Sequence, residues 1–249
     1  MGLFGFLGFS SDCLLCGCGI SFKSETYAQI ETMPIALASN KLCHACHLKL
    51  PTIKQACKVC GLPCSAVDTP CGQCLKSSPP YDLSLSAFHY EQPISDFITQ
   101  FKYGNRLDLL PLMTNYLLHT INLRLKNESR SQPPELIIPI PLHYKKRNHR
   151  GFNQSRLIAK NLSKSLDIPL SGDEVKRVRQ TKTQASLDAN ERKKNLKNAF
   201  EINKELPERV AIVDDIITTG TTVSELAMLA SKHGAKQIEV WSLARAYST

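Results

Sequence analysis

The segment Val210–Thr222 constrains the fold more than any other part of this 249-residue chain. Its four apolar residues 210–213 predict a buried parallel strand, which carries the adjacent carboxylates of Asp214 and Asp215 to its C-terminal end. A loop of hydroxyl residues and one glycine follows, and a helical pattern then runs over 223–232. Loop and helix N–H groups at such a junction point toward an anion, and the helix dipole favours that anion. The sequence therefore predicts a phosphate site in this loop. Its candidate residues are Thr218, Thr219, Gly220, Thr221 and Thr222.

The acid pair distinguishes this loop from other phosphate-binding loops. The loop lacks a lysine, so it does not fit the P-loop pattern, which requires Gly-Lys-Ser/Thr. Two carboxylates beside a phosphate site suit a sugar phosphate, because vicinal hydroxyls need hydrogen-bond acceptors. The plainer alternative is a strand that ends in Asp-Asp before a helix capped at Thr221 or Thr222. The order of the elements favours the phosphate site.

This pattern resembles the phosphoribosyl-pyrophosphate (PRPP) loop of type I phosphoribosyltransferases. The resemblance implies that Asp214 and Asp215 hold the ribose hydroxyls and that residues 218–222 hold the 5′-phosphate. Two further segments are similar to the ComF/GntX family of competence-associated proteins. One is Pro139-Ile-Pro-Leu142 with Arg147 and Arg150-Gly-Phe-Asn-Gln-Ser155. The other is Arg177-x3-Thr181-x2-Gln184-x2-Leu187-x4-Arg192-x2-Asn195, closing with Ala199-Phe200. With the cysteine-rich start, the resemblance spans nearly the whole chain.

The resemblance implies a double zinc-ribbon module over 1–80 and a phosphoribosyltransferase-like domain over 81–249. Ser77-Ser-Pro-Pro80 marks this boundary with turn-forming residues. The periodicity of the second part alternates between strands and helices, which predicts an α/β fold with a parallel sheet flanked by helices. The predicted strands are 83–90, 135–140, 208–213 and 236–244, and the predicted helices begin at Pro93, Leu107 and Gln154.

Eight of the ten cysteines form four Cys-x2-Cys pairs, which is the spacing of metal ligands. Four thiolates around one ion leave no position for water, so two structural zinc ions are expected. This spacing also favours a reducing cytoplasm over a disulfide framework. The tetrads are Cys13, Cys16, Cys43 and Cys46, then Cys57, Cys60, Cys71 and Cys74.

The spacing leaves the zinc pairing open at several points. The 26 residues between Cys16 and Cys43 are more than usual, so a cross-braced pairing of the four knuckles remains an alternative. Cys18 and Cys64 are left over, and Cys18 could replace Cys16 as a ligand. His44 and His47 are near enough in sequence to be ligands, although thiolates suffice.

The charge distribution suggests a second kind of partner. The chain carries a formal net charge of +9. Residues 143–160 hold six basic residues and no acid, and residues 176–197 hold eight basic residues against two acids. Such runs form either a solvated surface or a site for a polyanion such as single-stranded DNA.

PRPP carries a pyrophosphate as well as a 5′-phosphate, so one phosphate loop cannot hold all of it. Arg147 and Arg150, which follow a predicted strand end, are candidates for the pyrophosphate because arginine binds phosphate through a bidentate fork. Arg177 and Arg192 are candidates for a flexible cover, and glycosyl transfer would require Mg²⁺. Phe152 is expected to be a core residue, and Asn153 and Gln154 are either helix caps or polar contacts. The catalytic residues are not identified.

Three functional classes follow from these patterns. The favoured one is a PRPP-binding competence protein that handles single-stranded DNA entering the cytoplasm, with other competence proteins as possible partners. The second is a phosphoribosyltransferase with a small acceptor, and the third is a non-catalytic zinc-ribbon adaptor for nucleic acid. Whether the chain is an enzyme therefore stays open. No apolar run approaches the ~20 residues that a membrane-spanning helix needs.

Overall fold

The computed structural model describes residues 11–20, 41–64, 69–127, 132–142, 151–179 and 198–247. The chain divides into two compact units, residues 1–50 and 51–249. The second cysteine tetrad therefore belongs to the same compact unit as the sheet. Backbone hydrogen bonds join the segment before this tetrad to the sheet. His89 donates its N–H to the carbonyl of Pro51 (2.8 Å), and Ile53 donates its N–H to the carbonyl of Ala87 (3.1 Å). The domain boundary near residue 80 remains a prediction, since compactness alone does not show which segments fold independently.

The first unit is described around its cysteines. Strands β1 (Ser11–Asp12) and β2 (Gly19–Ile20) form an antiparallel hairpin that contains the first Cys-x2-Cys pair. Helix α1 (His44–Leu48) begins directly after Cys43 and holds the second pair's other cysteine, Cys46. Short elements of this kind bury little apolar surface, so a metal site would supply the stability that their packing lacks.

The second unit contains the sheet and the helices around it. Its elements are α2 (Gly72–Lys76), β3 (Leu83–His89), α3 (Ile94–Tyr103), a 3₁₀ turn (Leu107–Leu109), α4 (Leu110–Asn127), β4 (Leu136–Pro139), α5 (Gln154–Leu166), β5 (Val175–Arg177), β6 (Phe200–Ile202), β7 (Arg209–Ile217), α6 (Thr221–Lys232) and β8 (Gln237–Arg245). The predicted strands and helices are confirmed, with ends that shift by a few residues. Among the described residues, no helix is both long and apolar enough to cross a membrane.

The four long strands form a parallel sheet in the order β3-β8-β7-β4. Strand β7 lies between two neighbours, and its Val213 aligns with Pro139 of β4 and with Trp241 of β8. The strand continues past Val213, where the sequence predicted its end, because Asp214 to Ile217 keep their register with β8. The acid pair therefore lies within the last residues of a central strand, which ends two residues further on at Ile217.

Both faces of the sheet are covered. On one face, Val210 and Ile212 of β7 pack in a cluster with Leu226 of α6 and with Phe200 of the antiparallel strand pair β5–β6. Alternate residues of a strand point to opposite faces, so the fully buried Ala211 and Val213 point to the other side. Helices α4 and α5 pack there, α4 on β3 and β8, and α5 on β7 and β4. This arrangement leaves the carboxyl ends of the strands as the edge where ligands bind in open α/β sheets.

Candidate functional site

The acid pair is held by contacts from three directions. Asp214 Oδ1 accepts hydrogen bonds from Ser155 Oγ (2.9 Å) and from the N–H of Asp215 (2.9 Å). Asp215 Oδ2 lies 2.7 Å from Lys102 Nζ, and Asp215 Oδ1 accepts from the N–H of Ile216 (2.8 Å). These contacts connect α3, α5 and β7. The two carboxylates are therefore fixed in place before any ligand binds.

The surroundings of Asp214 disfavour its charged form. Burial raises its pKa, the neighbouring Asp215 carboxylate raises it further, and the hydrogen bond from Ser155 and the Lys102 ammonium only partly oppose this. The resulting pKa of Asp214 is about 7. A ligand that brings hydroxyl donors or a cation would stabilise the charged form of the two adjacent carboxylates.

The loop after the acid pair has the geometry of an anion site. Thr218 and Thr219 are exposed, while Gly220 is buried and caps α6 with a φ of 76°. Thr219 Oγ1 lies 2.7 Å from Thr221 Oγ1, and the N–H of Ser224 reaches the carbonyl of Gly220 at 2.9 Å. Because α6 begins at Thr221, the N–H groups of its first turn have no partner within the helix. The cap of α6 is Gly220 rather than Thr221 or Thr222, which are the first two residues of the helix.

The predicted arginines are only partly described. Arg177 ends β5, and its guanidinium carbon lies 5.4 Å from the centre of the Phe200 ring. Burial lowers the pKa of Arg177, and the Asp214 carboxylate opposes this, which places the two groups within electrostatic reach. Arg177 therefore lies on a strand, whereas the sequence predicted it as part of a flexible cover. Arg147, Arg150 and Arg192 lie outside the described residues.

The start of α5 resolves two alternatives from the sequence. Asn153 is the cap of α5, since its side chain accepts from the N–H of Arg156 (3.4 Å) and donates to the carbonyl of Ile140 (3.0 Å). The Phe152 ring packs against Phe101, with 5.7 Å between ring centres. Both residues therefore orient the helix that presents Ser155 to the acid pair.

Four residues near the site were not predicted from the sequence. Lys102 and Ser155 contact the acid pair, Arg245 contacts Thr218 at the start of the loop, and the Tyr81 hydroxyl lies near Gly220. Each lies far along the chain from its partner, so local periodicity gives no signal for the contact. Arg245 did carry a signal of another kind, because it is a charged residue at the end of a strand that is buried from Ile238 onward.

The two cysteine tetrads have the dimensions of tetrahedral metal sites. In each tetrad the four Sγ atoms lie within 4.8 Å of one another. Measured separations are 3.7 Å for Cys16–Cys43 and 3.8 Å for Cys60–Cys71. Zn–S bonds of about 2.3 Å in a tetrahedron give sulfur–sulfur edges of about 3.8 Å, so the residues fit zinc. The cross-braced alternative is wrong, because each tetrad joins consecutive pairs.

Backbone N–H groups lower the pKa of at least one thiol in each tetrad and so favour the thiolate that binds a metal ion. Burial raises the pKa of Cys13, but the N–H groups of Cys43, Cys16 and Leu15 outweigh it and bring the pKa to about 6. Cys57 behaves alike: burial is outweighed by the N–H groups of Cys60, Cys71 and Val59, and its pKa is about 7. Of the two extra cysteines, Cys18 lies with its sulfur 3.3 Å from that of Cys16, and Cys64 packs against the second tetrad.

The fold and site define a protein with a phosphoribosyltransferase-type α/β domain. The family model described as the phosphoribosyl transferase domain matches residues 153–249. This range contains α5, the acid pair, the loop and β8. It begins at the asparagine that caps α5, so the cysteine tetrads and β3 lie outside it.

Relatives match most of the chain, well beyond the range of the family model. The "DNA utilization protein YhgH" of Escherichia coli (strain K12) is 38% identical over 216 residues, which are 86% of this chain and 94% of that protein. The "Competence protein F" of Haemophilus influenzae is 39% identical over 214 residues, 84% of this chain and 93% of that protein. The "Competence protein ComFC" of Bacillus subtilis (strain 168) is 26% identical over 246 residues, 94% of each chain. The chain belongs to the ComF/YhgH family.

Proposed function

We propose that the chain binds PRPP with Mg²⁺ at residues 214–222 and handles single-stranded DNA in DNA uptake or DNA utilization. The observation that carries the ligand is the fixed acid pair of Asp214 and Asp215 directly before a phosphate-type loop. Carboxylates accept from vicinal ribose hydroxyls, and the N–H groups at the start of α6 donate to a 5′-phosphate. The phosphoribosyl transferase domain that matches this region supports the same ligand class.

Lys102 has a defined part in this proposal. Its ammonium lies 2.7 Å from Asp215 Oδ2 and balances one of the two negative charges. When PRPP binds, Mg²⁺ would balance that charge and ribose hydroxyls would donate to the carboxylate, which would leave Lys102 available for the anionic ligand. A buried carboxylate pair without such a partner would be costly, because unpaired buried charge destabilises the fold.

The DNA part of the proposal rests on the family and on charge. Two relatives are named competence proteins and one is named a DNA utilization protein. The basic runs 143–160 and 176–197 supply the positive charge that a polyanion requires. They lie largely outside the described residues, so the argument for them is the sequence.

Titration calorimetry with PRPP and Mg²⁺ tests the ligand assignment. The wild type is expected to bind, and Asp214→Asn combined with Asp215→Asn is expected to weaken binding at least about tenfold. Hydrogen bonds to a charged group contribute about 1.5–3 kcal/mol each, and 1.4 kcal/mol is a factor of ten. Asp173→Asn is the matched control, since Asp173 is exposed and lies outside the site. Equal affinity of the double variant and the wild type would show that the ligand binds elsewhere.

A further inference from the structure

Arg245 connects the second cysteine tetrad to the phosphate loop. Its side chain is buried, with 4% of the residue exposed, at the end of β8. Nε donates to the carbonyl of Cys60 (3.0 Å), and Nη1 donates to the carbonyl of Ile217 (3.0 Å) and also to that of Thr218. One guanidinium therefore contacts a cysteine of the tetrad, the last residue of β7 and the first residue of the loop.

These contacts fix the direction of loop donors. In a trans peptide the C=O and the N–H of one peptide unit point to opposite sides. With the carbonyls of Ile217 and Thr218 held by Arg245, the N–H groups of Thr218 and Thr219 point away from the guanidinium. The Ile217 carbonyl also accepts from the N–H of Ala246 (2.9 Å), so both contacts orient the N–H of Thr218, whereas the contact of Arg245 with the Thr218 carbonyl orients the N–H of Thr219.

Tyr81 also approaches the loop, beside Arg245. Tyr81 is buried in the segment between the tetrad and β3, and its hydroxyl lies 3.5 Å from the position that a Cβ at Gly220 would occupy. The turn between Cys57 and Cys60 is anchored to β3, because Ser84 donates its N–H to the carbonyl of Lys58 (3.2 Å). A Cβ at Gly61 would also lie 3.1 Å from Ser84 Oγ. The tetrad, β3 and the loop therefore form one packed region.

We propose that Arg245 is a positioning residue that couples metal occupancy of the tetrad Cys57, Cys60, Cys71 and Cys74 to PRPP binding. The inference rests on the proposed function. A zinc ion bound to Cys60 Sγ fixes the backbone of Cys60, and hence the carbonyl that holds one edge of the guanidinium. The other edge then keeps the loop in its binding geometry. Metal and PRPP stabilise the same arrangement from opposite ends, so each raises the affinity for the other, and this effect is reciprocal.

Zinc release from the full-length protein as purified tests the coupling. A chromogenic zinc chelator is added in the presence of Mg²⁺, with or without PRPP, and release is followed by absorbance. We expect PRPP to slow the release of one of the two zinc equivalents by about fivefold or more, which is the lower end of ordinary coupling between sites. The zinc of the first tetrad, in the other compact unit, is expected to leave at an unchanged rate.

Two arginine variants separate positioning from general stability. Arg245→Lys keeps the charge but cannot reach carbonyls on both sides, so we expect a PRPP Kd about tenfold higher and no protection of zinc by PRPP. Arg124→Lys is the matched control, because Arg124 is also mostly buried and pairs with Glu239 of β8 at 2.8 Å, near the opposite end of that strand. It is expected to retain the protection. Chelation of zinc by PRPP itself would act on all three proteins equally.

The outcomes distinguish the two proposals. If the wild type does not bind PRPP, the proposed function fails. If it binds PRPP but neither zinc equivalent is protected, the coupling fails while the proposed function stands. Protection that persists in Arg245→Lys would also overturn the role of Arg245. The wild-type measurement decides the coupling even if Arg245→Lys does not fold.

Discussion

Asp214 shows how the placement of a single side chain for a ligand can lower the stability of the folded protein. It is held by Ser155 and by the N–H of Asp215, yet burial and the second carboxylate keep its pKa near 7. The folded state thus binds the proton more tightly than the unfolded state does. Because burial and the Asp215 carboxylate disfavour the charged form of Asp214, a bound cation or hydroxyl donors would stabilise that charge.

The first prediction concerns the stability of the ligand-free protein. Between pH about 3.8, the ordinary pKa, and pH about 7, the folded state holds more protons than the unfolded state at Asp214. The free energy of unfolding therefore falls as pH rises through this window, and the penalty is complete above it. Asp214→Asn removes the penalty. We expect its Tm to exceed that of the wild type at pH 8, by about 2–4 °C per kcal/mol relieved, and to converge with it near pH 4.

Thermal unfolding at several pH values measures this difference. Asp173→Asn, at an exposed position, is expected to follow the wild type throughout. A Tm difference for Asp214→Asn that did not change with pH would contradict the assigned cause. The same variant should bind PRPP more weakly, so stability and ligand affinity are expected to move in opposite directions.

Thr218 determines a prediction about acceptors. A purine acceptor would need a base near its ring nitrogen, and the hydroxyl of Thr218, in the loop after the acid pair, has no useful basicity. Adenine, guanine, hypoxanthine and uracil are therefore expected to be poor acceptors from PRPP. Product analysis with each base and Mg²⁺ measures this. Turnover in the ordinary range of about 1–10³ s⁻¹ with any of them would instead favour the second functional class, a phosphoribosyltransferase with a small acceptor.

At the scale of elements, the junction between β7 and α6 depends on a left-handed glycine. Gly220 has a φ of 76°, which a residue with a Cβ adopts only with strain of about 1–2 kcal/mol. We expect Gly220→Ala to lower stability by about that amount and to weaken PRPP binding, because the start of α6 must shift. Gly19→Ala is the control, since Gly19 has no positive φ, has open space at its Cβ position and lies in the other compact unit. Thermal unfolding and calorimetry report the two effects, and a Gly220 variant like wild type in both would refute the strain.

The elements were predicted well because their signals are local. The face of α3 formed by Ile94, Phe97, Ile98 and Phe101 is buried as its spacing predicted, and the apolar run 210–213 lies in a central strand. The length of β7 was underestimated, since the acid pair was placed at the end of the strand, whereas Ile216 and Ile217 still pair with β8. Contacts such as Lys102 with Asp215 and Arg245 with Cys60 join distant segments. Spacing along the chain contains no information about which of those segments meet.

At the scale of the whole molecule, the two tetrads are expected to differ in their effect on stability. Metal analysis of the purified protein should give two zinc ions per chain. Cys57→Ser should lower the main unfolding transition, because its tetrad lies in the compact unit of the sheet and structural zinc contributes about 10–16 kcal/mol in small domains. Cys13→Ser should lose one zinc ion and leave that transition nearly unchanged. Protein free of zinc, with disulfides in its place, would contradict the metal sites.

The distribution of charge over the molecule predicts how DNA binding responds to salt. If about six phosphates are neutralised, the slope of log affinity against log salt for single strands is about −4. Replacing Lys193, Lys194 and Lys197 with alanine should flatten this slope by up to about two. The control variant replaces Lys164, Lys204 and Lys232, which are exposed and lie outside both basic runs. Fluorescence anisotropy with a labelled oligonucleotide measures both slopes. Identical slopes for the two triple variants would leave the runs as solvated surface.

The strand order β3-β8-β7-β4 has a consequence for how the protein is made. The first strand of the sheet pairs with the last, and Asp82 already contacts Ile238, which is 156 residues further along the chain. At about 5–20 residues per second, β3 therefore waits on the ribosome for about 8 to 30 seconds before its neighbour exists. All eight tetrad cysteines precede β3 in the chain and emerge during or before that interval. Zinc can therefore be bound while the sheet is still incomplete, so that the metal-loaded second tetrad awaits the arrival of Arg245.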